Sequence, residues 1–239
     1  MAHVSRYSCQ TNISWFGEQS QRRISSSSVA VVGLGALGSC SAELLCRMGI
    51  GTLILIDFDV VDLKNLHRQT LYTESDVGKP KVLSAKEHLS KINSEIELAA
   101  FPKMLSSENS SELLGKADLV IDCTDNMEAR REINRWAVSH SMPWVHAACV
   151  KTSGSVMSFL PGGPCFECVF SDKSSPDSCS SAGILPQAAS FVSSVQVSEA
   201  LKVLLGKATS GTLIRADVWN YSLEKFSVKK KKSCPACSQ

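Results

Sequence analysis

Nowhere in the 239 residues is there a run of about 18 apolar residues, the least that a membrane-crossing helix needs, so no spanning segment is expected. The first twenty residues also lack the apolar core of a secretory signal, because Arg6, Asn12 and Glu18 interrupt them. Net charge is nearly absent. Twenty-five basic and 23 acidic residues leave a formal +2, which implies no nucleic-acid partner. Internal repeats are missing as well. With no export signal the expected setting is the cytoplasm, where thiols stay reduced. The ten cysteines therefore argue for metal or thiol chemistry rather than disulfides. A hydrophobic content of 44% is ample for a core, and the length suits one large α/β domain or two small ones.

What is present is organised around residues 29–69. Val29-Ala30-Val31-Val32 is a β-branched run that ends on Gly33-Leu34-Gly35-Ala36-Leu37-Gly38. A helical pattern follows, with Leu44, Leu45 and Met48 on one face and Gly49 at its end. A second apolar strand, 52–56, delivers Asp57 nineteen positions after Gly38. Glycines let a backbone approach phosphate, a helix N-terminus offers free N–H groups, and the carboxylate takes ribose hydroxyls. This unit reads as a nucleotide site. By itself it does not separate NAD enzymes, methyltransferases and ATP users.

The residues beyond Asp57 narrow the choice. Asp59, Asn65, His67, Arg68 and Gln69 crowd into the next dozen positions, followed by Gly78-Lys79-Pro80-Lys81 and Asp122-Cys123-Thr124-Asp125-Asn126. A guanidinium just after a nucleotide-binding strand suits a bidentate phosphate contact. His67 reads instead as a core or helix-cap histidine. Asp125 falls at the carboxyl end of an apolar strand, 118–122, where open α/β sheets bind ligands, although its residue type also suits a helix N-cap. Splitting ATP between its phosphates needs cations on the developing charge and a carboxylate for Mg²⁺. Asp122 has no clear role, and His146 and Cys149 read as packed or near-site residues.

The second half of the chain points to metal. Cys165-Phe166-Glu167-Cys168 and Cys234-Pro235-Ala236-Cys237 are two C-x-x-C hooks with 65 residues between them, which together complete a tetrahedral four-thiolate Zn²⁺ site. Such a site is closed and holds the fold rather than doing chemistry. Between the hooks, residues 171–181 have the polar composition of an exposed loop and contain Cys179. Cys40, Cys46, Cys123 and Cys149 sit in apolar or helical patterns that suggest burial. A long helix is expected over 187–205, a closing strand pair over 213–219 and 223–228, and a solvated charge run at 229–232. Helices are also expected over 77–92 and 106–114, and strands over 96–100 and 143–150.

From about Arg6 to Cys237 this order of motifs resembles the ThiF/MoeB/HesA family, the prokaryotic relatives of ubiquitin-activating enzymes. The Asn-Leu-His-Arg-Gln and Asp-Cys-Thr-Asp-Asn pieces carry most of the likeness. The resemblance implies a Rossmann-like, doubly wound α/β fold with a largely parallel sheet and the zinc site in its C-terminal half. Residues 1–28 would form an N-terminal arm, mostly solvated surface. Residues 29–239 would form one adenylation domain, with a nucleotide half at 29–150 and a zinc-bearing half with a crossover loop at 151–239. ATP with Mg²⁺ would lie against Gly33, Gly35, Ala36, Gly38, Asp57, Asp59, Asn65, Arg68, Gln69, Lys81, Asp125 and Asn126. Among these, Arg68, Lys81 and Asp125 would act on the phosphates. Ala36 replaces a glycine usual in the family, which is tolerable if its φ stays negative.

The implied reaction is adenylation of the C-terminal Gly-Gly carboxylate of a small ubiquitin-fold protein, with release of pyrophosphate. Cys179, at the position of the family's loop cysteine, is then the candidate covalent acceptor. The chain carries neither a ubiquitin-fold nor a sulfurtransferase domain, so the carrier and a sulfur donor or conjugating protein are expected as partners. A homodimer is also implied. The family's N-terminal Arg-Tyr-x-Arg-Gln places its second arginine in the partner subunit's site. Here that position is Cys9, which leaves Arg6, Arg22 or Arg23 as substitutes. Two other readings stay open: a nucleotide-binding scaffold without catalysis, and an NAD(P)-dependent oxidoreductase, against which the Arg68, Lys81 and Asp125 set argues.

Overall fold

The computed structural model describes residues 6–170 and 182–238. Two short helices, α1 (Ser8–Thr11) and α2 (Gly17–Ser25), open it. Most of their residues face solvent, while Phe16, Gln21 and Ile24 are buried and pin the segment to the body. Then follow β1 (Ser28–Val32), α3 (Ala36–Met48), β2 (Thr52–Ile56), α4 (Lys81–Ile92), β3 (Glu97–Phe101), α5 (Ser110–Leu114) and β4 (Leu119–Asp122). The chain continues through α6 (Met127–His140), β5 (Trp144–Val150), β6 (Ser153–Phe159), α7 (Phe166–Val169), α8 (Pro186–Leu204), β7 (Thr212–Asp217) and β8 (Ser222–Ser227). Among the described residues no helix is long and apolar enough to cross a membrane.

The eight strands form one sheet in the order β3-β2-β1-β4-β5-β6-β7-β8. From β3 to β5 all neighbours are parallel; from β5 to β8 all are antiparallel. The sheet is therefore mixed rather than largely parallel. No pattern in the sequence announces β6, because Ser153, Gly154 and Ser155 hide the alternation of a half-buried strand. Two helices start later than their patterns suggest. Pro80 is extended and starts α4 at Lys81, not at 77. The Asn109 side chain accepts the Ser106 N–H at 2.9 Å and turns 106–109 before α5 begins.

The strands of β1 and β2 are apolar on both faces because the sheet is covered on both. Val29, Val31, Leu53 and Leu55 pack with α3, α4 and α8 on one side; Ala30, Val32, Ile54 and Ile56 meet α5 and α6 on the other. One register row crosses all eight strands: Phe101, Ile56, Val32, Asp122, His146, Met157, Leu213 and Phe226. Buried Gln196 of α8 fastens the middle of the sheet. Its Nε2 donates to the carbonyls of Asp122 (2.8 Å) and Val145 (3.2 Å), and its Oε1 accepts from Ser41 Oγ at 2.9 Å.

Candidate functional site

Strand order reverses between β1 and β4, which opens a crevice at their carboxyl ends. A cavity of about 870 Å³ lies there. Its floor is the glycine loop. Gly33 has φ +86°, and a Cβ on it would stand 2.9 Å from the Cys123 carbonyl oxygen. A Cβ on Gly38 would stand 1.8 Å from the Gly33 carbonyl oxygen, so Gly38 packs behind the loop while Gly33, Gly35 and Ala36 line the cavity. Ala36 is the first residue of α3 and is not among the residues with positive φ, so its methyl group is accommodated. The unpaired N–H groups of the first turn give this end of the helix its positive dipole.

Asp57 braces this loop: its carboxylate accepts the N–H of Leu34 at 2.6 Å and of Asp59 at 2.8 Å. Burial pushes its pKa up, against the opposing pull of Lys81 and the two backbone donors. One lone pair on each oxygen remains for a hydroxyl ligand. Lys81, itself buried, holds Asp59 at 2.8 Å. Arg68 is aimed by Nη2 donation to Asn65 Oδ1 (2.8 Å) and by Nη1 contacts to the Lys64 carbonyl (3.2 Å) and His67 Nε2 (2.8 Å). His67 therefore orients Arg68. Asp125 is exposed and has no ion pair among the described residues. The N-cap role goes to Asn126 instead, whose Oδ1 accepts the Ala129 N–H at 2.8 Å at the start of α6.

Two buried polar atoms on the wall have no protein hydrogen-bond partner: Gln69 Oε1 and Arg130 Nε. Leaving an amide oxygen unmatched is costly, so Gln69 Oε1 is an acceptor for a polar ligand, whereas Arg130 Nε faces Asp122 within an ion pair. An exposed, unpaired carboxylate at Asp125 is the hard-oxygen donor that Mg²⁺ takes. The wall thus fits a nucleotide with its metal.

Arg130 belongs to a network that the sequence did not reveal. Its Nη2 donates to the Thr124 carbonyl at 2.7 Å, and its Nε lies 3.7 Å from Asp122. Asp122 also accepts Thr124 N–H (2.9 Å) and Oγ1 (2.7 Å), and His146 Nδ1 sits 2.7 Å from its other oxygen. Burial alone would raise the Asp122 pKa, but His146, Arg130 and Thr124 outweigh it and hold the carboxyl low. Burial pushes His146 down more strongly than Asp122 lifts it. The pair is anion and neutral imidazole at neutral pH, and it fixes the turn that presents Asp125.

Other wall residues went unforeseen: Lys103 to Ser107 after β3, and Ser153, Ser155, Leu213, Arg215 and Phe226 on the antiparallel strands. No spacing in the chain announces them. Cys179 lies outside the described residues. Cys46, Cys123 and Cys149 are buried, Cys40 is half-buried, and Cys9 is exposed. Arg6 is tied within its own chain, its Nη1 donating to the Ile92 carbonyl at 3.1 Å, and Arg23 likewise donates to the Leu204 carbonyl. Arg22 is exposed and has no ion pair among the described residues.

On α7 and after β8 the two hooks converge. The sulfurs of Cys165, Cys168, Cys234 and Cys237 all lie within 4.8 Å of one another, with separations of 3.5 Å (165–234) and 3.6 Å (168–237). A tetrahedron of thiolates about 2.3 Å from zinc has edges of about 3.8 Å, so the donor set fits that ion. Burial works against the Cys234 thiolate, yet the N–H groups of Ala236 and Cys237 hold its pKa at about 7, ready to lose its proton.

The sequence profile described as the ThiF family matches residues 7–236. The sulfur carrier protein adenylyltransferase of Thermus thermophilus is 38% identical over 245 residues, covering 98% of this chain and 90% of that protein. The molybdopterin-synthase adenylyltransferase of Escherichia coli is 33% identical, covering 98% and 96%. Among solved structures, E. coli MccB with succinimide superposes with a TM-score of 0.87 at 21% identity, over 100% of this chain and 75% of that one, a likeness of fold. Fold, glycine loop and full-length relatives agree: the chain belongs to the ThiF family and is an adenylyltransferase of that family's type.

Proposed function

We propose that this adenylyltransferase activates the C-terminal Gly-Gly carboxylate of a small ubiquitin-fold sulfur carrier, using ATP and Mg²⁺. A carboxylate is a poor electrophile at neutral pH, and adenylation gives it a good leaving group. The carboxylate oxygen bonds to the α-phosphorus while the bond to pyrophosphate breaks. No protein base is needed, because the nucleophile is already ionised. The work is positioning and charge neutralisation. Arg68 and Lys81 meet the phosphates, Asp125 would hold Mg²⁺, and Asp57 and Gln69 meet the ribose. Bound there, the cation would neutralise charge on the phosphates. Zinc in the four-cysteine site is structural, and Cys179 is the proposed acceptor of the activated carrier.

The observation that carries this reading is the convergence of Arg68, Lys81, Asp125 and the glycine loop on one cavity. Exchange of labelled pyrophosphate into ATP, dependent on a carrier, tests it. Arg68→Ala, Lys81→Ala and Asp125→Ala should each lower exchange on the order of a hundredfold. Exchange that survives all three places the chemistry elsewhere. Cys179→Ala should keep exchange and lose a thiol-sensitive adduct with the carrier. We further propose a homodimer in which Arg22 reaches the second copy's site; light scattering should give twice the chain mass.

A further inference from the structure

The cavity extends past the nucleotide loops across the antiparallel half of the sheet. Ala148 of β5, Ser155 of β6 and Arg215 of β7 stand side by side in one register row and all line it. One row nearer the core, His146 and Met157 are buried against Phe166 of α7. The open trough therefore has a floor of small side chains, Ala148 and Ser155, that ends at Leu213, Arg215 and Phe226. An extended peptide can lie flat on such a floor.

Charge singles out one wall residue. Lys64, Lys81, Lys103 and Arg135 are each bound to a carboxylate of their own chain. Arg130 and Arg68 are committed to the contacts described above. The Arg215 side chain has no ion pair or hydrogen bond among the described residues. Glu224 stands opposite it in register on β8, and the two do not bridge.

The separation follows from sheet geometry. From β4 to β7 are three strand spacings, about 14 Å at roughly 4.8 Å each, and an extended chain advances about 3.4 Å per residue. A tail whose terminal carboxylate reaches the phosphates beside β4 thus passes Arg215 about four residues upstream.

On the adenylation reading above, we infer that Arg215 is a specificity-determining residue. It selects carrier tails with an acidic side chain about four residues before the terminal carboxylate. A guanidinium fork matches a carboxylate and rejects an ammonium. Glu224 competes weakly for the same cation.

The test uses ubiquitin-fold sulfur carriers ending in Gly-Gly, each made with Asp or Lys four residues before the last, in pyrophosphate exchange. The Asp tail should show a KM about two- to fivefold lower at similar kcat, the size of an exposed ion pair. Arg215→Gln should erase the difference and Arg215→Glu should invert it in favour of Lys. ATP binding by calorimetry reports that both variants are folded. Equal KM for the two tails, or an acid preference that survives Arg215→Glu, overturns the inference while adenylation stands. If ATP binds and no carrier supports exchange, the adenylation reading falls and takes this one with it.

Discussion

The ammonium of Lys81 lies 2.8 Å from Asp59, yet the lysine side chain is 5% exposed and the aspartate 51%. The cation is fixed in the wall of the cavity while its counter-ion faces solvent. An incoming phosphate can displace a half-exposed carboxylate at little cost, so the pair holds Lys81 in place between turnovers. Asp59→Asn should leave Lys81 buried without its partner and lower stability by about 1 kcal/mol, discounted for solvent screening at Asp59. Urea unfolding measures this. Unchanged stability would show that the pair does not hold the lysine.

Gly33→Ala should abolish ATP binding while the far-ultraviolet circular dichroism stays native. The new methyl group would demand a left-handed conformation that alanine disfavours by about 1 kcal/mol or more, against the immovable Cys123 carbonyl. Calorimetry with ATP reads the loss. Wild-type affinity in this variant would rule out the loop geometry described here.

Stability should fall on acidification because of Asp122 and His146. Both have folded pKa values below their unfolded ones, so the unfolded chain binds protons first and stability is full above each unfolded pKa. His146 begins to cost stability as pH drops below about 6.5, and Asp122 adds to this below about 3.9. Arg130, the other charge on Asp122, stays protonated throughout. Thermal melts of wild type between pH 7 and 5 should slope downward, and His146→Gln should flatten that slope. A slope identical in the variant would assign it to other groups.

Metal analysis should find about one zinc per chain. Cys165→Ser, or prolonged chelation, should lower the melting temperature by several degrees or more, in keeping with the large folding free energy of such sites. ATP affinity measured well below the transition should change little, because the four sulfurs lie away from the cavity wall. Metal-free protein of native stability contradicts a structural ion.

Much of the nucleotide half was legible because its signals are local. Gly33, Gly35 and Asp57 lie on one strand–loop–helix–strand unit, and Lys81 follows a proline that sets its helix. The hooks were legible because spacing within each hook is itself the signal. Asp122, His146 and Arg130 were not, since strand register brings them together across 24 residues and the bare residue types suggest no partner. Arg215 is further removed still. It enters the cavity because β7 pairs antiparallel with β6, a strand whose small residues conceal it. At Asp125 the residue type also suited a helix cap, the lesser of its two readings, but its neighbour Asn126 does that work with the same chemistry.

The cysteine cluster also bears on the order in which the molecule assembles. β7 and β8 pair onto β6 only after the chain has returned through α8, so until then β6 presents an open edge to other nascent chains. Joining Cys165 and Cys168 to Cys234 and Cys237 closes a loop around that whole segment and removes most of the conformations in which the edge stays bare. A metal bound there acts as a latch on the completed sheet. Its supply should govern how much protein survives synthesis and folding, while leaving the turnover of each finished molecule untouched.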